Sequence, residues 1–231
     1  MTKKFIIHYC PGAGGMFLSS VFAKIMNIPL ETKISSIGDC HDFGNGIWKD
    51  TQYVGMASIF DIATGKMKLQ YRPNKHLYCT HDVTNEFIEQ NSDIEAIQIS
   101  ATPDDYGIIA LMAVKKAWIN LWTEEEYNKW VGPDYPPYSP KNIAESNLIC
   151  RDVIEHALIP QTLDWYNEYA DIKYSHQIDF KTVIGFDNKD LAQEVASIVG
   201  GNITDDACKF INEYQQLNKK LYVDWNFIPK S

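Results

Sequence analysis

Arginine is almost missing from this chain: of its 21 basic residues, only Arg72 and Arg151 are arginines. Bidentate clamps on phosphate or carboxylate are built mainly from guanidinium forks, so such clamps are confined to two places. Positive charge is scarce overall, 21 Lys+Arg against 30 Asp+Glu for a net −9. That balance excludes a general nucleic-acid binder, which needs a phosphate-neutralising face. Long apolar runs are missing too, and none approaches the ~20 residues that cross a bilayer. The apolar Phe5-Ile6-Ile7 breaks at His8 and meets Pro11, too soon for a signal-peptide core. The five cysteines (10, 40, 79, 150, 208) are odd in number and include no CxxC. A disulfide scaffold is therefore not expected, and a reducing cytoplasm is.

What is present is an ordinary globular mixture, 45 % apolar and 22 % charged over 231 residues. This is ample for one domain spanning 1–231 with a real core. Residues 4–10 read as a strand, 11–15 as a glycine-rich turn, and 16–26 as a helix with Phe17, Val21, Phe22 and Ile25 at helical spacing. Residues 35–50 read as loop. A second strand is expected at 76–80, then a helix over 83–90 capped by Asp82 or Thr84. Residues 94–100 form a third buried strand, and Pro103 followed by Asp104 and Asp105 opens a helix running to about 121. A helical and loop insertion spans 123–170, with a proline loop at 132–140 and helices near 141–157 and 160–169. A strand near 174–179 and closing helices over 188–222 complete the chain. Strands alternating with helices predict an α/β fold of three layers with a mostly parallel central sheet and C-terminal helices.

A first strand entering a glycine turn and then a helix is a way to cradle a phosphate on converging backbone amides. Two well-known versions do not fit. Gly15 is followed by Met16-Phe17 where a Walker A loop needs Lys and Ser/Thr, and the third glycine of GxGxxG falls on Phe17. A tight βα turn without a ligand explains the same residues, so that alternative stands beside the anion site.

The segment Tyr9–Ser20 resembles the 5′-phosphosulfate loop of the sulfotransferases, whose pattern is aromatic, x, Pro-Lys-Ser-Gly-Thr-Thr-Trp and helix. Pro11, Gly14 and Phe17 match in place. Leu77–His81 is similar to that family's strand ending in Lys-Thr-His, and Ile94–Asp105 to its strand followed by Arg-x-Pro-x-Asp. His176–Phe180 and residues 189–222 resemble its late strand and closing helices. The resemblance implies a P-loop-type fold, 3′-phosphoadenosine 5′-phosphosulfate (PAPS) as cofactor, and a small-molecule or glycan-like acceptor. The implied donor-binding residues are Gly12, Ala13, Gly14, Gly15, Met16 and Phe17. The implied catalytic base is His81, since imidazole suits proton abstraction near neutrality. Three departures matter. The family's loop lysine falls on Gly12 and its 3′-phosphate arginine on Ala101, while its following serine falls on Ile109. Lys115, Lys116 and Arg151 are the candidate replacement cations, with Lys115 placed in the donor site.

Other groupings carry less. Cys40-His41-Asp42 with Cys79 and His81 matches no standard zinc spacing, so no metal is expected. There is no GxSxG, and Ser19-Ser20 falls inside the first helix, which disfavours a Ser-His-Asp hydrolase. The aromatics Trp118, Trp122, Tyr127, Trp130, Tyr135 and Tyr138 crowd the proline loop, which offers a partner surface. The expected function is sulfuryl transfer from PAPS to a hydroxyl or amine. The alternative is a catalytically degenerate P-loop-fold protein serving as a binding or structural module, for instance in a viral or multiprotein assembly. Neither a nucleic acid nor a membrane is an expected partner.

Overall fold

A computed structural model describes residues 3–28, 76–113 and 158–224, together with short strands at 32–33, 42–43, 54–56, 58–61 and 66–69. The expectations for Arg72, Lys115, Lys116, Arg151, the aromatic cluster, the proline loop and the helix at 141–157 lie outside the described residues.

Strand β1 (Lys4–His8) is the centre of the sheet. Its Phe5-Ile6-Ile7 run is apolar on both sides because both sides are covered, as a central parallel strand requires. Helix α1 (Gly15–Ile25) follows directly. Two small antiparallel ladders come next. Strand β2 (Thr32–Lys33) pairs with β3 (Asp42–Phe43), and β5 (Ser58–Asp61) with β6 (Lys66–Leu69). The first ladder corrects the all-loop reading of 35–50. Between the two ladders, β4 (Val54–Met56) joins the main sheet beside β7 (Leu77–Thr80). Helix α2 (Asn85–Gln90) is capped by Thr84, whose hydroxyl accepts from the Phe87 amide, and leads into β8 (Ile94–Ser100). Asp82 is not the cap.

After β8 the chain turns through a 3₁₀ segment, Pro103–Asp105, into α3 (Tyr106–Ala113). Further on come α4 (Ile159–Glu168), β9 (His176–Asp179), and α5 (Phe180–Ile184), a helix that the periodicity of so short a segment does not reveal. Helix α6 (Leu191–Val199) starts at an Asp190 cap rather than at 188, and α7 (Asp205–Asp224) closes the chain.

The main sheet has the order β4-β7-β1-β8-β9, and every pairing in it is parallel. Side-chain alternation divides the core. Phe5 and Ile7 face the larger cluster, built from α1, α3, α5, α6 and α7, while Ile6 faces a smaller one with Tyr78, Val83, Ile94 and Ala96 under α2. Helices on both faces make the fold a three-layer α/β architecture. Among the described residues no helix is long and apolar enough to cross a membrane.

Candidate functional site

In an open parallel sheet, ligands gather outside the C-terminal strand ends. Here β1 ends at His8 and runs through Tyr9, Cys10 and Pro11 into the glycine turn. The Ala13 amide closes that turn by donating to the Cys10 carbonyl at 2.9 Å. Gly12 (φ 93°) and Gly14 (φ 78°) are left-handed, a conformation that glycine takes without steric penalty. Gly14 is also the N-cap of α1 and offers no side-chain cap. The first amides of α1 therefore gain nothing from a capping side chain, and the positive end of the helix dipole lies here.

The glycines answer to packing as well. A Cβ on Gly15 would lie 2.0 Å from the Tyr9 ring, and one on Gly14 would lie 2.8 Å from the Tyr214 hydroxyl. The side chains of Ala13, Met16 and Phe17 are buried in the core. Phe17 stacks on Tyr214 with centroids 3.5 Å apart and an interplanar angle of 5°. What this segment offers a ligand is thus main chain.

His81 stands at the end of β7. A turn fixes it there: the Thr80 hydroxyl accepts from the Asp82 amide at 3.0 Å and donates to the Asp82 carbonyl at 2.7 Å. Its Nδ1 lies 2.8 Å from the Tyr9 carbonyl. A carbonyl only accepts, so Nδ1 carries the proton and the lone pair of the neutral ring is on Nε2. Burial lowers the His81 pKa from its ordinary value, against the upward pull of the Tyr9 carbonyl. The imidazole is neutral near pH 7 and competent as a base. Its ring meets the Tyr9 ring edge-on at 4.3 Å, and the Tyr9 ring covers Gly15, so His81 and the turn share one aromatic wall. A second tie runs from the Cys79 thiol to the Ser19 hydroxyl at 2.9 Å and on to the Gly15 carbonyl at 2.8 Å.

Sequence reasoning missed a second histidine. His8, fully buried, lies in register with Thr80 on one side and Gln98 on the other, and Gln98 with Gln177 beyond it. These four form a polar row across the sheet on the α2 face. The Gln177 amide donates to Gln98 at 2.9 Å, and His8 Nδ1 shares a 2.6 Å hydrogen bond with the Tyr174 hydroxyl. Trp165, Tyr169 and Tyr174 surround the His8 ring at 4.6, 4.5 and 5.8 Å. Burial drives its pKa down to about 3, so this ring stays neutral at any physiological pH. The signal was a lone polar residue ending an apolar strand, which periodicity alone does not distinguish from a strand boundary.

Helix α4 lies across these strand ends. Trp165 donates to the His81 carbonyl at 3.4 Å, Tyr166 to the Ile99 carbonyl at 3.2 Å, and Tyr169 to the Asp82 carboxylate at 3.2 Å. The Thr162 side chain bonds Cys10, whose thiol burial nonetheless pushes well up, so Cys10 is not a thiolate nucleophile. Where the resemblance expects an arginine, Ala101 packs against the core, followed by Asp105. That buried carboxylate accepts from the Thr102 amide and hydroxyl at 2.8 and 2.7 Å and lies 3.7 Å from Lys181. Ile109 is fully buried. The described residues thus supply no counterpart of the 3′-phosphate arginine. No group of three or more metal-ligating side chains occurs among the described residues. In comparisons with known proteins, no family model, no curated protein and no solved structure matches this chain.

Proposed function

We propose that this chain is a sulfotransferase-like protein that passes a sulfuryl group from PAPS to a hydroxyl or amine of a small-molecule or glycan-like acceptor. The observation that carries the reading is His81, fixed as the Nδ1–H tautomer by the Tyr9 carbonyl beside the glycine turn. The Gly12–Met16 main chain holds the donor's phosphate end, which suits a helix N-terminus without a side-chain cap. PAPS supplies the sulfuryl group: the acceptor oxygen or nitrogen bonds to sulfur as the sulfur–phosphate oxygen bond breaks. His81 Nε2 takes the acceptor's proton and releases it to water. Lys115 is the proposed counter-charge in place of the lysine missing at Gly12. Residence in a reducing cytoplasm belongs to the same proposal and is supported by free Cys10, Cys79 and Cys208.

A second reading rests on α4 and the tyrosines. Helix α4 crosses the strand ends, and the Tyr9 and Tyr214 side chains occupy the space that the glycines leave. A P-loop-type fold that has lost catalysis and serves as a binding or structural module explains both, with the 132–140 loop as its partner surface. Calorimetry with 3′-phosphoadenosine 5′-phosphate separates the two readings. Saturable binding supports the transferase, and no heat at millimolar ligand leaves the module.

A further inference from the structure

Helices α1 and α4 both meet the C-terminal ends of the strands, and they are held very differently. Every residue of α1 except Lys24 is buried. Helix α4 buries only Thr162 completely, while Trp165, Tyr166 and Tyr169 are half-buried and Leu163 is exposed. Its bonds to the strand ends are 3.2 to 3.4 Å long, and each reaches a polar acceptor: the Ile99 carbonyl, the His81 carbonyl or the Asp82 carboxylate. Water replaces such donors readily, so parting from these acceptors costs little. The start of α4 has no side-chain cap. The chain beyond its other end is pinned: the Asn85 amide donates to the Asp171 carbonyl at 3.0 Å and accepts from the Lys173 amide at 2.9 Å. Between α4 and that pin, the Ala170 and Ile172 amides make bonds of 3.3 Å. A helix with little buried surface and one end anchored is an element that opens locally while the rest of the fold stays intact.

We propose that α4 is a gate over the C-terminal strand ends, closed in this structure, which pivots about the Asn85-held segment and lifts to admit a ligand. What it covers is polar rather than apolar. Thr162 bonds the Cys10 thiol directly before the glycine turn, Tyr166 lies on the end of β8, and Trp165 and Tyr169 hold the His81 carbonyl and the Asp82 carboxylate. Lifting α4 uncovers all of these at once, at the edge of the sheet where ligands gather. The gate rests on the reading of the strand ends as a donor site, and its ligand is the class named there, a phosphate-bearing nucleotide. The opening itself stands on how α4 is held. An α4 that lifts also withdraws the support that its position lends to the non-catalytic module.

The cysteines make the opening measurable. Cys10 is buried beside Thr162 of α4, Cys79 is buried between β7 and α1 with its thiol on the Ser19 hydroxyl, and Cys208 is exposed. The full chain is labelled with iodoacetamide in rising urea below the unfolding transition, and each cysteine is read separately by peptide mass mapping. Cys208 marks the rate of an open thiol. Cys10 should label at least about tenfold faster than Cys79 and depend only weakly on urea, because local opening exposes little surface. Phe22→Leu weakens the core as a whole, since Phe22 is fully buried, and should quicken Cys79 alone. Tyr166→Phe combined with Tyr169→Phe deletes two of the bonds that hold α4 and should quicken Cys10 about fivefold. By the same factor that double variant should tighten binding of 3′-phosphoadenosine 5′-phosphate in calorimetry, because the open fraction has grown. Cys10 and Cys79 labelling together, with one urea slope, overturns the gate, since α4 then leaves only when the whole fold does. Faster Cys10 labelling with unchanged or weaker nucleotide binding overturns it as well, because α4 then opens without admitting that ligand. If neither chain binds the nucleotide although Cys10 opens locally, the donor reading falls, and the gate for that ligand falls with it.

Discussion

The C-terminal edge of the sheet carries two histidines, one strand apart and on opposite faces, and their surroundings differ in kind. His8 is sealed under three aromatic rings, with a tyrosine hydroxyl as its partner. His81 is held by a backbone carbonyl and is less completely buried than His8. A side-chain partner within a packed aromatic wall serves cohesion. A main-chain partner fixes the tautomer and leaves the other nitrogen for outside work. The same chemical group is thus structural on one face and a candidate base on the other.

The largest effect expected falls on His81. If His81 is the base, His81→Ala lowers sulfuryl transfer by roughly two to four orders of magnitude, the usual range for general-base catalysis, with an unchanged circular dichroism spectrum. The same substitution at His8 leaves a different signature, in stability. The unfolded chain takes up a proton at His8 near the ordinary value of 6.5, while the folded chain resists until about 3. The unfolded state therefore binds more protons in that window, and stability falls as pH drops, by about 1.4 kcal/mol per pH unit for this one group. His8→Phe should flatten the dependence between pH 6 and 4 in urea titrations. An unaltered slope means that His8 titrates freely in the folded chain, and the contrast between the two histidines is lost.

How far the sequence exposes this site depends on range. The strand–turn–helix around Gly12–Gly15 and the strands at 76–80 and 94–100 are legible, because apolar runs bounded by glycine, proline and aspartate encode them locally. Thr84 and Asp190 caps are local as well. The reason for Gly15 is not local: it lies in the Tyr9 ring folding back over it. The reason for Gly14 comes from Tyr214, two hundred residues away in the chain. Nor could spacing show that α4 would lie across the strand ends, since its bonds go to the His81 and Ile99 carbonyls. Residues that become neighbours through topology leave no periodic trace.

A smaller effect tests whether the shared Tyr9 wall joins the turn to His81. Gly15→Ala places a methyl group within the Tyr9 ring, so the ring must move. Overpacking of this kind costs about 1–3 kcal/mol. Tyr9→Leu in the same chain should recover much of that loss, a coupling read from a double-mutant cycle in urea. Additive losses would show that the methyl is absorbed elsewhere and that the ring is not the obstacle.

The smallest effect concerns Trp165, a side chain that touches both histidines. Trp165 lies against the His8 ring at 4.6 Å, and its indole N–H donates to the His81 carbonyl at 3.4 Å. Trp165→Phe keeps an aromatic ring but deletes the donor. At this long distance the hydrogen bond is a weak one, so the loss should sit near the lower end of the usual 0.5–1.5 kcal/mol, with some packing added. Its value lies in where the loss is felt. If the indole mainly covers His8, the substitution removes ring contact there and interacts with His8→Phe in a double-mutant cycle, leaving anion binding at the turn unchanged. If it mainly anchors α4 to the end of β7, the cycle with His8→Phe is additive, and amide exchange quickens in residues 159–168 instead. A centroid separation of 4.6 Å is close ring contact, whereas a 3.4 Å bond to the carbonyl is near the limit of what counts as one. Coupling to His8 is therefore the expected result, which assigns Trp165 to the sealed face and leaves His81 held by Tyr9.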